Sequence, residues 1–233
     1  MEHERIKLWD LPVRIFHWLL VLLVIAAVIS GKVGGDAMDW HARIGIAILG
    51  LIVFRLVWGF IGPTYARFTH FVRGPAAIAD YLHGRWQGIG HNPLGALSVV
   101  ALLVMIALQV ATGLFSNDDI VFNGPLSQLV DKALSDRLTG FHKLSINILI
   151  ALIGLHIVAI AFYAAVRKED LIRPMITGWK AVPRRQEPPS KGGGRAALIV
   201  AIAIAVGAMY AGSGAWLRHD SPLPAVAKAA NGR

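Results

Sequence analysis

The sequence predicts an all-α integral membrane protein, a four-helix transmembrane bundle followed by a fifth, C-terminal transmembrane helix. Three observations carry that class. Of 233 residues, 55% are hydrophobic and only 16% charged, a balance outside the range of soluble domains. Five apolar stretches are long enough to cross a hydrocarbon core, which takes about 20 helical residues, and a helix satisfies its own backbone groups there. The basic residues, 23 against 14 acidic, flank those stretches rather than line a soluble face, so the charge reads as membrane topology and not as a nucleic-acid surface.

The spans follow in order. The first runs from about Arg14 to Ser30. Basic residues precede it, as in a signal peptide, but His17 and Trp18 lie inside it and no small-x-small cleavage site stands near Ser30. The second runs from about His41 to Ile61, the third from about Leu94 to Phe115, the fourth from about Leu144 to Val166 and the fifth from about Ala196 to Ala211. The fifth carries no histidine, acid or base and is rich in small residues, so it reads as an anchor or packing helix separable from the other four. The domain plan is a four-helix domain over 1–180, a basic Pro/Gly linker over 181–195, the additional helix over 196–213 and an outer tail over 214–233. Residues 62–93 read as a loop rich in Gly, Pro, His and Arg. No internal repeat and no phosphate-cradling glycine motif is found. Gly45 and Gly50 miss a GxxxG spacing by one, and glycines facing a flat cofactor account for them equally well.

Orientation follows from Lys and Arg near the span ends, whose excess stays cytoplasmic. Arg5, Lys7, Arg14, Arg55, Arg67, Arg73, Arg85, Arg167, Lys168, Arg173, Lys180, Arg184, Arg185, Lys191 and Arg195 gather on one side. The other side has Lys32, Arg43, Lys132, Arg137 and Lys143, with Arg218, Lys228 and Arg233 in the tail. The expectation is a multi-pass protein of the bacterial inner membrane, with a cytoplasmic N-terminus and a periplasmic C-terminus. Tryptophans favour the interface, and Trp18, Trp58 and Trp179 fall near inner ends, Trp40 and Trp216 near outer ones.

The chemistry rests on histidine. With no cysteine, disulfides, thiolate zinc sites, iron–sulfur clusters and covalently attached c-type haem are excluded together. Of the nine histidines, His3, His70, His83, His91 and His219 fall in tails or loops and read as solvated or interfacial. His17, His41, His142 and His156 lie in or at the ends of spans, where ionisable groups are costly and functional by default. Threading the helices alternately puts His17 and His156 toward the inner side and His41 and His142 toward the outer side. His142 and His156 are 14 residues apart, four turns less about 40°, so both face one seam about 21 Å apart along the axis. A single histidine at a helix end can simply cap it or sit at the interface; four matched in depth and phase point to two metal centres in a bundle core. Haem fits better than zinc or copper, because each centre is offered two axial imidazoles and no thiolate, carboxylate or third imidazole. Arg14, Arg43, Lys32 and Lys143 stand where haem propionates would emerge, although each is also explained as plain positive flanking.

The residues also resemble a known family. The run Trp9-Asp10-Leu11-Pro12-Val13-Arg14-Ile15-Phe16-His17-Trp18 is similar to the opening of bacterial cytochrome b561 proteins and of the b-type cytochrome subunit of nickel–iron hydrogenases. The likeness continues through His41, Arg55, Trp58-Gly59-Phe60, Gly62 and Ala66-Arg67-Phe68, then Gly90-His91-Asn92-Pro93-Leu94-Gly95 and Thr112-Gly113. It goes on through His142 and His156 to Lys168-Glu169-Asp170-Leu171 and Met175-Ile176-Thr177-Gly178, covering roughly residues 6 to 180. The resemblance implies two non-covalent b haems, one on His17 and His156 and the other on His41 and His142. It also implies exchange with the quinone pool and with a redox partner protein such as a hydrogenase or a soluble cytochrome. The fifth helix departs from the basic pattern.

Two axial histidines fill both open positions of each iron, which disfavours oxygen chemistry at the metal and favours electron transfer. The expectation is therefore a membrane dihaem b-type cytochrome in a respiratory chain. A quinone-linked oxidoreductase acting directly on a small molecule such as superoxide stays open beside a relay subunit. A histidine-using metal or proton transporter would show intramembrane carboxylates, and the spans hold none. A purely structural anchor leaves four depth-matched histidines unexplained. Arg55, Arg67 and Gln109 are polar candidates for a quinone pocket, with interfacial or interhelical roles as their plainer account.

Overall fold

The computed structural model describes residues 3–220 except 87, 89, 121 and 184–189. Arg184 and Arg185 of the linker and the tail beyond Asp220, with Lys228 and Arg233, lie outside the described residues. The chain begins with strand β1 (His3–Lys7) and continues through helices α1 (Leu11–Val33) and α2 (Ala37–Ile61). Short helices α3 (Phe68–Phe71) and α4 (Pro75–Leu82) precede the long α5 (Pro93–Leu114) and α6 (Lys132–Ala165). Then come α7 (Ile172–Thr177), strand β2 (Trp179–Pro183) and α8 (Arg195–Gly212). Among the described residues, helices α1, α2, α5, α6 and α8 are the five long and apolar enough to span a membrane. We call the face that carries β1 the N-side and the opposite face the C-side.

The helix starts are set by side chains that capture free backbone N–H groups. Asp10 accepts from Val13 N, Asn92 from Gly95 N and Asp131 from Leu134 N, and Pro12 and Pro93 occupy first-turn positions where no donor is needed. The cap at Asp131 corrects the expected start of the fourth span: α6 begins at Lys132, not near Leu144. Its 34 residues make a rod of about 51 Å against a hydrocarbon core of about 30 Å. The extra turns carry Lys132, Ser135, Asp136 and Arg137, which is why hydropathy does not reveal them.

Packing runs from α1 to α2, α2 to α5 and α5 to α6, around a core of Phe16, Leu20, Ile48, Ile52, Leu103, Ile106, Val110 and Leu149. The outward faces are apolar as well, with Leu22, Leu155 and Ile199 exposed, as a lipid-facing surface requires. The fifth span is not a separable element. It lies along α2, where Ala201 is fully buried, the Cα of Gly50 faces Met209, and Gly212 sits against Leu49 and Leu114. Small residues let the two backbones approach, the means of helix association where lipid removes the hydrophobic drive. Gly50 is thus a packing glycine, whereas Gly45 has open space beyond it.

On the N-side the supposed loop 62–93 holds α3 and α4, and β1 pairs antiparallel with β2 from His3↔Pro183 to Lys7↔Trp179. Residues 181–183 are therefore strand and not linker. Gly178 turns the chain from α7 into β2 at φ +87°, and a Cβ there would meet the Trp9 carbonyl at 2.8 Å, so only glycine serves. The linker's far end is also tied down: Thr64 N donates to Lys191 O at 3.0 Å and Lys191 N to Thr64 Oγ1 at 2.9 Å. Trp58, expected at the interface, is instead the most buried large side chain, with its indole N–H bonded to Asp10 Oδ2 at 2.9 Å.

Candidate haem sites in the helix bundle

On the C-side, α2 and α6 bring His41 and His142 together edge-on, ring centres 6.0 Å apart and planes at 90°. Each ring is aimed by a neighbouring helix. His41 Nδ1 donates to the Ala27 carbonyl of α1 at 2.9 Å, with the Ser30 hydroxyl 3.4 Å away. His142 Nδ1 donates to the Gln109 carbonyl of α5 at 2.9 Å, with the Thr112 hydroxyl at 3.2 Å. A helix carbonyl accepts only, so both Nδ1 atoms carry the proton and both Nε2 atoms keep their lone pair. The Gln109 side-chain amide, 3.2 Å from His142 Nε2, fits an acceptor there. That tautomer is the one a metal ligand needs.

A recurrence not evident in the linear sequence underlies this pair. Along α1 the carbonyl, hydroxyl and glycine are Ala27, Ser30 and Gly31; along α5 they are Gln109, Thr112 and Gly113. A Cβ at Gly31 would come within 3.1 Å of the His41 ring, and one at Gly113 within 2.9 Å of the His142 ring. The two helical hairpins thus repeat one histidine-seating device, carried by backbone groups and small side chains that leave little trace in sequence identity. The same correspondence continues down the partner helices: Arg55 follows His41 on α2 as His156 follows His142 on α6, each after 14 residues.

The His41 and His142 rings line a cavity of about 310 Å³. Gly31, Gly45 and Gly113 form part of its wall together with Phe122 and Pro125 of the loop after α5, and the exposed Lys32 and Lys143 stand at its rim. Of the other cations expected here, Arg43 lies over the Trp40 ring at 5.2 Å.

On the N-side, His17 of α1 and His156 of α6 lie within electrostatic range of each other. His17 Nδ1 is buried without a hydrogen-bond partner. Arg14 donates to the Ile176 carbonyl and so ties α1 to α7, and its Nε is buried and unpartnered. Arg67 bonds to the Gly62 carbonyl at 2.7 Å and reaches Lys191 O, a structural tie. Gln109 belongs to the C-side site.

His91, expected as a solvated loop residue, is instead wedged between Trp9 and Phe71, ring centres 4.6 Å from each. Burial, with the nearby Arg55 cation adding to it, pushes its pKa down to about 3. Next to it, Asn92 caps α5 and also donates to the Tyr163 hydroxyl at 2.8 Å, and Tyr163 in turn bonds Tyr81. The Gly-His-Asn-Pro-Leu-Gly run carries the His91 and Asn92 of this cluster, and only tertiary packing turns His91 inward.

The comparisons with known proteins agree with this architecture. The family model of prokaryotic cytochrome b561 matches residues 8–178. A probable Ni/Fe-hydrogenase B-type cytochrome subunit of Azotobacter chroococcum mcd 1 is 24% identical over 77% of this chain and 90% of its own length. One of Azotobacter vinelandii is 23% identical over the same shares, 77% and 90%. A probable Ni/Fe-hydrogenase 1 B-type cytochrome subunit of Escherichia coli (strain K12) is 25% identical over 45% of this chain and 57% of its own. No solved structure matches. Five membrane-length helices and a match over residues 8–178 place the chain in the prokaryotic cytochrome b561 family, the multi-pass membrane b-type cytochromes of electron transfer.

Proposed function

We propose that the protein holds two haem b groups, one between His41 and His142 and one between His17 and His156, and relays single electrons from one membrane face to the other. The observation that carries this reading is the C-side pair. Two imidazoles on one ion, with nitrogen–metal bonds of about 2.0–2.1 Å, stand with their ring centres about 6 Å apart, and the His41 and His142 rings are 6.0 Å apart with the tautomer of a ligand. Haem supplies a one-electron couple that needs no large change of shape. The protein's own part is to seat the imidazoles and shut out water with the apolar faces of four helices, and Lys32 and Lys143, which line the cavity, would pair with carboxylates of the group. The N-side pair has a buried Nδ1 on His17 and a second histidine within electrostatic range.

The partners in this reading are the quinone pool and a redox protein of the hydrogenase kind, the association named for the relatives. In this reading the N-side lies in the cytoplasm and the C-terminus in the periplasm, which the basic excess near β1, α3, α4 and the stretch after α6 supports. The test is a reduced-minus-oxidised visible spectrum of the detergent-purified protein with a pyridine haemochrome assay. Sharp b-type bands at two haems per chain are expected. A protein that stays colourless after haem supplementation overturns the reading.

A further inference from the structure

Among the described residues Arg55 is the one charged side chain in the buried set, 3% exposed, on a helix that spans the membrane. Its guanidinium lies over Phe68 at 4.7 Å and Phe71 at 5.8 Å, and its Nη1 is buried with no hydrogen-bond partner. A buried cation with an unmade bond is costly unless something opposite compensates it. The carboxylate in its neighbourhood, Asp10, attracts it at electrostatic range, but both Asp10 oxygens accept from other donors, Val13 N at 2.7 Å and Trp58 Nε1 at 2.9 Å, so the Arg55 Nη1 bond stays unmade.

The position of Arg55 says what it faces. It stands 14 residues after His41, as His156 stands 14 after His142, so on α2 it occupies the place that the N-side histidine holds on α6. It lies six residues from the N-side end of α2, and His17 six residues from the N-side end of α1, about 9 Å in each case. His91 lies within electrostatic range of both Arg55 and His156, which puts the three in one neighbourhood. Arg55 is therefore at the depth and on the seam of the N-side centre, with one donor left over.

We propose that Arg55 completes the N-side haem site: its guanidinium is set against the haem that His17 and His156 hold, and it raises that haem's reduction potential. This rests on the haem assignment above. A haem centre with two neutral imidazoles loses one unit of positive charge when its iron is reduced, so a fixed cation beside it, in a low-dielectric interior, disfavours the oxidised form. The C-side centre has neutral Gln109 and Ser145 near His142, and its lysines stand at the rim.

The experiment is a spectroscopic redox titration of Arg55→Gln and Arg55→Lys, each placed in a His142→Ala background that keeps the N-side haem and in a His17→Ala background that keeps the other. With Arg55→Gln the N-side reduction equilibrium is expected to fall at least tenfold, about 59 mV for a one-electron couple. Arg55→Lys is expected to keep more than half of the effect, and the C-side haem to change less than threefold. An N-side equilibrium within threefold of the parent, or equal shifts at both haems, overturns the proposal. Should Arg55→Gln hold no N-side haem, Arg55→Lys decides: retention supports a role for the charge, and loss in both overturns it. Failure of the haem assignment shows separately, as a parent protein without haem or as single-histidine variants that keep the full haem count.

Discussion

A methyl group added at Gly113 tests the histidine-seating device directly. The Cβ of Gly113→Ala would lie 2.9 Å from His142 Cε1 and 3.2 Å from Nδ1, inside the roughly 3.5–4.0 Å at which carbon atoms attract. The ring or the α5–α6 spacing must give by about 0.5 Å to relieve that contact. The ring is not free to swing, because Nδ1 is bonded to Gln109 O and flanked by the Thr112 hydroxyl. Overpacking of this kind costs about 1–3 kcal/mol, and loss of the Nδ1 bond accounts for about 1 kcal/mol of it. That range corresponds to C-side haem binding about 5- to 150-fold weaker. Gly140→Ala on α6 is the matched control, since a Cβ there meets nothing within 4 Å and helix propensity favours it by up to about 1 kcal/mol. The assay is haem titration into the apoprotein followed at the Soret band, with haem per chain counted at saturation. Gly113→Ala is expected to fill one site normally and the other weakly, and Gly140→Ala to match the parent. Equal affinities at both sites in Gly113→Ala would refute the reasoning, as would loss of both haems.

Other consequences are equally direct. Replacing His17, His41, His142 or His156 singly by Ala is expected to remove one haem, and the doubles His17/His156 and His41/His142 to remove no more than their singles; a crossed pattern of losses refutes the pairing. His91 has a folded pKa of about 3 against an ordinary 6.5, so the unfolded chain binds a proton there that the folded one refuses. Stability is expected to fall as pH drops below about 6.5, by about 1.4 kcal/mol at pH 5.5, and His91→Gln to remove that part of the slope, read as melting temperature against pH in detergent. Asp10→Ala strips α1 of its cap and Trp58 of its acceptor, and a loss of about 1–3 kcal/mol is expected in chemical denaturation. Gly50→Ile drives a branched side chain into Met209. It is expected to loosen α8 from α2, seen as faster proteolysis after Lys191 with both haems kept.

Much of this molecule is written in local pattern. Five runs of apolar residues and the basic residues between them are enough to draw the spans, because the cost of an unpaired backbone or a charge in lipid acts on each segment alone. The four histidines stand out for the same reason. Where the chain leaves the hydrocarbon that pressure vanishes, and there the sequence reading falls short. It misses the first turns of α6 from Lys132, the helices within 62–93 and the pairing of β1 with β2. It also treats His91 as a loop residue, since nothing in a Gly-His-Asn-Pro-Leu-Gly run reveals that Trp9 and Phe71 close over the ring.

What the sequence by itself determined is the number of membrane-length helices and which histidines lie on them, because hydropathy and the 3.6-residue period are properties of each helix in isolation. What only the tertiary structure decided is which surfaces meet. It joined α8 to α2 through Gly50 and Met209, set the Ala27 and Gln109 carbonyls against His41 and His142, and left Arg55 Nη1 without a partner inside the bundle. Those choices depend on backbone groups and single missing methyls on neighbouring helices, whose effect is steric and appears only when two helices are brought within a few ångströms of each other.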